Sequence, residues 1–167
     1  KKSKYWPLVK QAMENEITGK YVNNKAWDVV RREDHMHVIK GRWVLQFKTN
    51  ADGSVSQVKA RYVACGYAQI AGREYSEVFA KTLASSCFRI FCAICAEEDL
   101  ETDYMDAYKA FTQSDIDFII YVLMPEGFER AGHVLRLRKA LEGIKQGAHL
   151  WFKRNQDALT SLGFVPC

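Results

Sequence analysis

The chain has 167 residues, of which 48% are hydrophobic, 26% charged and 13% aromatic, and its formal net charge is +4. That length permits one ordinary domain burying roughly two-thirds of its unfolded-chain surface, and three Pro and ten Gly beside so many aromatics exclude a low-complexity or disordered chain. The longest mostly apolar stretch, Phe88 to Ala96, carries Arg89 and is far too short to cross a bilayer; with no secretory signal pattern at the start, a soluble globular domain is expected.

Trp6, Val9, Met13 and Ile17 recur at three- and four-residue steps, which predicts a helix from Trp6 to about Thr18, ended by Gly19. Ala26 to Val30 is a short strand candidate. Arg42 to Lys48 alternates, with Trp43, Leu45 and Phe47 on one face, and Val55 to Val63 alternates too. Between them lies a turn-rich connection with Asp52-Gly53, so the segment reads as a β-hairpin. Lys59 and Arg61, two apart in its second strand, project from the same face.

A loop follows around Gly66 to Ser76. Ser85 or Ser86 can cap a helix from about Ser86 to Glu98, and Phe88, Phe91, Ile94 and Cys95 make it almost wholly apolar, so burial is expected. Leu100 to Met105 reads as a strand ending at Asp106, with a helical turn over Tyr108 to Gln113. Phe118 to Met124 and Val134 to Leu137 are further strands. The last helix, about Gly147 to Leu162, carries Trp151, Ala158, Leu159 and Leu162 on one face. The order α-β-β-β-α-β-α-β-β-α gives an α+β class with antiparallel pairing.

Residues 1–81 hold fifteen Lys+Arg against eight Asp+Glu, and residues 82–167 hold nine against twelve. Such a split suits a site with a polyanion on one side and cations on the other; two ordinary solvated surfaces would give it as well. Cys65, Cys87, Cys92, Cys95 and Cys167 show no framework spacing. Cys92 and Cys95 form a C-x-x-C without a second Cys or His pair, so buried free thiols in an intracellular, reducing compartment are expected rather than a metal or redox site.

Four aspartates, Asp103, Asp106, Asp115 and Asp117, fall in one short window. Asp106, at a strand end before a turn, can offer oxygen to a divalent cation or serve as a helix N-cap. Lys59 and Arg61 can clamp phosphates or remain solvated. Phe111 is by default core, and Gln146-Gly147 is either a turn or a helix N-terminus open to an anion.

Taken in order, the blocks resemble the reverse transcriptase of copia-type retrotransposons over nearly the whole chain. They are A-M-E-N-E-I with Asn24 and Trp27, G-R-W-V-L-Q-F-K, D-G-S-V, K-A-R-Y-V-A, G-Y-A-Q and E-Y-S-E-V-F-A. Then come L-E-T-D-Y-M-D-A-Y-K-A-F, I-Y-V-L-M-P-E-G-F, L-R-K-A-L-E-G-I-K-Q, W-F and S-L-G-F. The resemblance implies basic fingers over about 1–84 and an acidic partial palm over about 85–167.

On that resemblance, Asp106 matches the first metal-binding aspartate, where two Mg²⁺ ions activate the primer hydroxyl and steady the leaving pyrophosphate. Phe111 matches the aromatic gate against the sugar of the incoming nucleotide. Lys59 and Arg61 lie on the hairpin that closes over the triphosphate, and Gln146 matches the glutamine beside nucleotide and template base. The partners implied are an RNA template, a DNA primer and a deoxynucleoside triphosphate.

The sequence also departs from the family pattern. Cys65 stands where Arg or Lys is usual, Lys81 where proline is expected, Glu142 where Tyr is usual and His149 where Arg is usual. The family's second carboxylate pair, in a Tyr-x-Asp-Asp-like hairpin, is expected beyond Cys167, so the chain alone is expected not to polymerise DNA. Two readings follow: the fingers and partial palm of an RNA-directed DNA polymerase, or a domesticated remnant kept as an interaction subunit of a larger assembly or a nucleic-acid-binding module. The substitutions favour the second.

Overall fold

Helix α1 (Trp6–Ile17) starts with Pro in its first turn, where the fixed φ suits a helix and the missing N–H costs nothing. Its apolar spacing buries Val9 and Met13. The computed structural model describes residues 3–165, apart from the side chains of Tyr21 and Val22. Gly19 does not end the helix as expected: Thr18–Asn23 continues as a wider π-helical turn. That turn carries Lys20 inward.

The chain then forms β1 (Trp27–Arg31), β2 (Val38–Ile39), β3 (Gly41–Thr49) and β4 (Val55–Ala64). Beyond these lie α2 (Ser85–Glu97), β5 (Tyr121–Val122), β6 (His133–Leu137) and α3 (Gly147–Ser161). The expected hairpin is β3–β4, paired antiparallel from Gly41↔Ala64 to Thr49↔Val55. The other strands form one sheet in the order β1-β6-β5-β2. Its pairing is antiparallel for β1–β6 and β5–β6, but β2 and β5 run parallel.

One core serves both halves of the sequence. Trp27, Ile39, Tyr62, Val122, Leu135 and Leu141 are all buried in it. Tyr62 crosses from the hairpin to the sheet, and its hydroxyl donates to the Leu123 carbonyl at 2.6 Å. Burial pushes the Tyr62 phenol up, so it stays a donor. A smaller cluster, Val9, Met13, Val58 and Ala60, seats α1 on the hairpin.

Two contacts lock the hairpin's exit to residues 142–143. The Ala64 N–H donates to the Glu142 carbonyl (2.8 Å) and the Gly66 N–H to the Gly143 carbonyl (3.1 Å). Gly143 has φ +91, and a Cβ there would sit 2.1 Å from the Ala64 carbonyl oxygen. A Cβ on Gly66 would sit 2.1 Å from the Gly143 carbonyl oxygen. Only two glycines allow that approach.

Lys20 completes the junction. Its ammonium, fully buried, ion-pairs with Glu16 (2.8 Å) and Glu142 and donates to the Tyr62 carbonyl (3.1 Å). Three donors meet three acceptors, the condition under which a buried charge is tolerated.

Several expectations fail for a common reason. Helix α2 forms as expected but has no buried residue; Phe88, Ile90, Phe91 and Ile94 are each at least half exposed. Apolar composition states which residues favour burial, not what covers them. Ala84 rather than Ser85 or Ser86 occupies its N-cap, with no side-chain cap. Leu100–Met105 forms no strand, since a strand needs a partner ladder and none pairs there. The strand expected over Phe118–Met124 shrinks to Tyr121–Val122. On α3, Trp151 is half-buried while Ala158, Leu159 and Leu162 are exposed. The thiols are free but not buried: Cys87 and Cys92 are exposed, and Cys65 and Cys95 half-buried. Cys167 lies outside the described residues. No helix among the described residues is long and apolar enough to cross a membrane.

Removing the buried ammonium strands two carboxylates. Lys20→Met is expected to lower the unfolding free energy by about 3–5 kcal/mol in urea titrations. Glu142→Gln, whose side chain is partly exposed and leaves Glu16 in place, should cost clearly less.

Candidate functional site

The hairpin presents two unlike faces. Val58, Ala60, Tyr62 and Ala64 point inward and are buried, whereas Lys59 is half-buried and Arg61 exposed. Directly paired residues share a face, and the register sets Val44 against Arg61, Gln46 against Lys59 and Arg42 against Val63. Arg42, Lys48, Lys59 and Arg61 therefore stand on one face. Such a face attracts phosphates.

Cys65 lies at the foot of this face. The Tyr67 phenol is raised first by its hydrogen bond with the Cys65 side chain, while the nearby Arg42 guanidinium acts the other way. The place where a cation was expected after Val63-Ala64 is thus close to Arg42.

Gln146 sits elsewhere than on a surface. It is completely buried. Its amide nitrogen donates to the Glu74 carbonyl (2.7 Å) and to Asp117 (3.2 Å), and its oxygen accepts from Gln69 (3.0 Å). The Gln69 oxygen in turn accepts from the Lys145 N–H at 2.7 Å. The buried Glu74 carboxylate accepts from the Ile70 N–H (2.9 Å) and meets His37 Nδ1 (2.8 Å). The G-Y-A-Q, E-Y-S-E and I-K-Q segments are three parts of one polar knot.

Phe111 begins a short 3-10 helix with Ala110 (Ala110–Gln113) and packs, half-buried, against the main core. Its ring also lies against Gly147, at the start of α3. The structure therefore brings Phe111 and Gln146 to the same end of α3.

Asp106 is exposed in the irregular segment before that turn. It caps no helix, because Lys109 occupies the N-cap position of the 3-10 turn. The other aspartates of the window are dispersed: Asp115 ion-pairs with Lys139 (2.7 Å) and Asp117 serves Gln146. Among the described residues no group of three or more His, Cys, Asp or Glu converges for a metal ion. Asp106 fits a divalent cation as one hard oxygen ligand and no more.

Two departures from the family pattern have structural roles. Glu142 is a counter-ion of Lys20. His149 holds the segment before α2, with Nδ1 2.6 Å from the Phe79 carbonyl and Nε2 3.3 Å from Glu77. Lys81 is exposed. Lys20, Glu16, Gln69, Glu74 and Arg42 were not singled out from sequence. Gln69 and Glu74 lie inside quoted blocks, the one signal that marks them; nothing local marks Lys20.

The reverse transcriptase (RNA-dependent DNA polymerase) family profile matches residues 24–167. The retrovirus-related Pol polyprotein from transposon RE1 of Arabidopsis thaliana is 34% identical over 160 residues, covering 93% of this chain and 11% of that protein. That from transposon RE2 of the same plant is 35% identical over 160 residues, with the same coverage. The Pol polyprotein from transposon TNT 1-94 of Nicotiana tabacum is 31% identical over 158 residues, 93% of this chain and 12% of that protein. The chain thus spans a small part of these relatives. No solved structure matches it.

Replacing Gln146 with Met should leave the Gln69 amide and the Glu74 carbonyl only their mutual 3.3 Å bond, and the loss of three hydrogen bonds should cost about 1–3 kcal/mol in all. Urea unfolding of Gln146→Met checks this; unchanged stability would remove the knot's structural role.

Proposed function

The chain belongs to the reverse transcriptase family, and from that premise we propose that it is the fingers and first palm part of an RNA-directed DNA polymerase within a copia-type Pol polyprotein. The family match over residues 24–167 carries this reading. The shared hairpin face of Arg42, Lys48, Lys59 and Arg61 supports it.

In this reading Lys59 and Arg61 hold the triphosphate of the incoming deoxynucleotide, their charges offsetting those of the phosphates. Phe111 lies against the sugar. Gln146, gripped by Gln69 and Glu74, acts by positioning the start of α3 beside Phe111 rather than by direct contact. Asp106 supplies one carboxylate to divalent metal, Mg²⁺ in this proposal, and further ligands come from another part of the polyprotein. Bound Mg²⁺ would lower the pKa of the primer hydroxyl and neutralise developing charge on the leaving pyrophosphate.

The remnant reading gains no support from the relatives. The departures that favoured it are weakened as well, since Glu142 and His149 hold the fold. Free thiols at all four described cysteines suit a reducing compartment.

Primer extension on an RNA template with Mg²⁺, using the full-length protein that carries this chain, tests the proposal. Asp106→Asn should cut extension by at least about a hundred-fold while leaving stability unchanged, because Asp106 is exposed. Lys59→Ala with Arg61→Ala should raise the KM for nucleotide more than it lowers kcat. Normal extension by Asp106→Asn would refute the assignment.

A further inference from the structure

The acidic balance of the second half conceals a basic stretch. Residues 130–154 hold seven Lys+Arg and a single acid, Glu142. Glu142 is turned inward to Lys20 and offsets nothing outside.

The fold gathers much of this charge on the four-stranded sheet. An open cleft of about 950 Å³ is lined by Lys25, Arg136, Arg138 and Lys139, with Asp28 and Asp115. Both carboxylates are already engaged, Asp28 by Arg138 (2.6 Å) and Asp115 by Lys139. Lys25 and Arg136 have no ion-pair partner among the described residues. A second cleft adjoins at Asp115 and adds Lys153 and Arg154 of α3. Ser114 lines it too, and its buried hydroxyl has no hydrogen-bond partner.

Arg136 is also the registered neighbour of Tyr121 on β5 and of Asp28 on β1. Directly paired residues share a face, opposite to that of the buried Trp27, Leu135 and Leu137. The half-buried Tyr121 and the exposed Arg136 thus project from the same face, with Tyr121 lining a neighbouring cleft beside His35, His37 and Arg73. Cations that track a backbone beside a ring that stacks a base are how proteins hold single-stranded nucleic acid without reading its sequence. We propose that this sheet face, from Tyr121 across Arg136 and Lys25 to Lys153 and Arg154, is a contact surface for single-stranded nucleic acid, separate from the hairpin. Only the class of partner rests on the family reading. An acidic protein would use the cations but gain nothing from Tyr121.

The test is fluorescence anisotropy of a labelled oligothymidylate with the full chain over a salt series. Lys25 has φ +49, a conformation Asn tolerates, so Lys25→Asn with Arg136→Gln removes two cations without strain. This pair should weaken binding about ten-fold and flatten the plot of log affinity against log salt by about one unit per cation. Tyr121→Leu should weaken it about five-fold or more. Melting temperatures matching wild type show that the fold persists. Loss in these variants supports the inference whether or not Lys59→Ala with Arg61→Ala also binds weakly; the triphosphate role of that hairpin pair is read separately, from the KM for nucleotide. Wild-type affinity and slope in the sheet variants, beside loss in the hairpin pair, overturns the inference and leaves the hairpin reading standing. Equal competition by polyglutamate with Tyr121→Leu neutral overturns it in favour of an acidic protein. No binding by the wild-type chain overturns the inference and leaves the triphosphate reading of the hairpin untouched.

Discussion

A single buried ammonium joins the parts of this fold that sequence separates most widely. Lys20 reaches the interior because the helix widens into a π turn, and there it meets Glu16, Glu142 and the Tyr62 carbonyl. An unpaired ammonium in that place would be far too costly. The Glu142 segment must therefore lie against the hairpin. Backbone contacts from Ala64 and Gly66 to residues 142–143 repeat the same constraint, and Gln69 carries it on to Lys145 and Gln146. The hairpin's cationic face is held relative to Phe111 and α3 by this chain of polar contacts as much as by apolar packing.

What was legible in the sequence was what is local. Alternation around Asp52-Gly53 is resolved within one stretch of chain, and the hairpin formed with the facing expected of Lys59 and Arg61. Helices α1 and α3 begin at the expected Trp6 and Gly147. What failed was what depends on a distant partner. The expected strand over Leu100–Met105 has no ladder beside it, and α2 has no cover. The same limit applies to single residues: Gln146 does stand at the N-terminus of α3, as expected, yet it is buried and its three side-chain contacts come from Gln69, Glu74 and Asp117, all distant in sequence. Glu142 looked like an acid added near a phosphate site, and only three-dimensional proximity to Lys20 shows its use.

Charge was misleading in a different way. The net balance of a half-chain averages over surfaces that never meet. Six of the acids that make the second half negative fall between Glu97 and Asp106, on the exposed segment that leads to the candidate metal ligand. Five of the seven cations of residues 130–154 line the two clefts at β6 and α3. Two opposite fields thus share one half of the sequence, carried on different elements. A polyanion brought near Asp106 would meet carboxylates first, so its affinity must come from the basic faces around it.

This separation constrains how the site can work. A carboxylate cluster that is to hold divalent metal repels the phosphates it must act upon, and the repulsion falls off only over about a Debye length, roughly 8 Å at physiological salt. Cations within the cluster would relieve the repulsion but would also compete with the metal for the carboxylates. Placing them on a separate, rigid hairpin face avoids that competition, provided the hairpin is held at a set position. The Lys20 junction and the Gln69–Glu74–Gln146 knot supply that rigidity, with Lys20, Gln69, Glu74 and Gln146 all buried. In this chain, polar interior bonds that look superfluous to a hydrophobic core hold the cationic hairpin face in place against the start of α3.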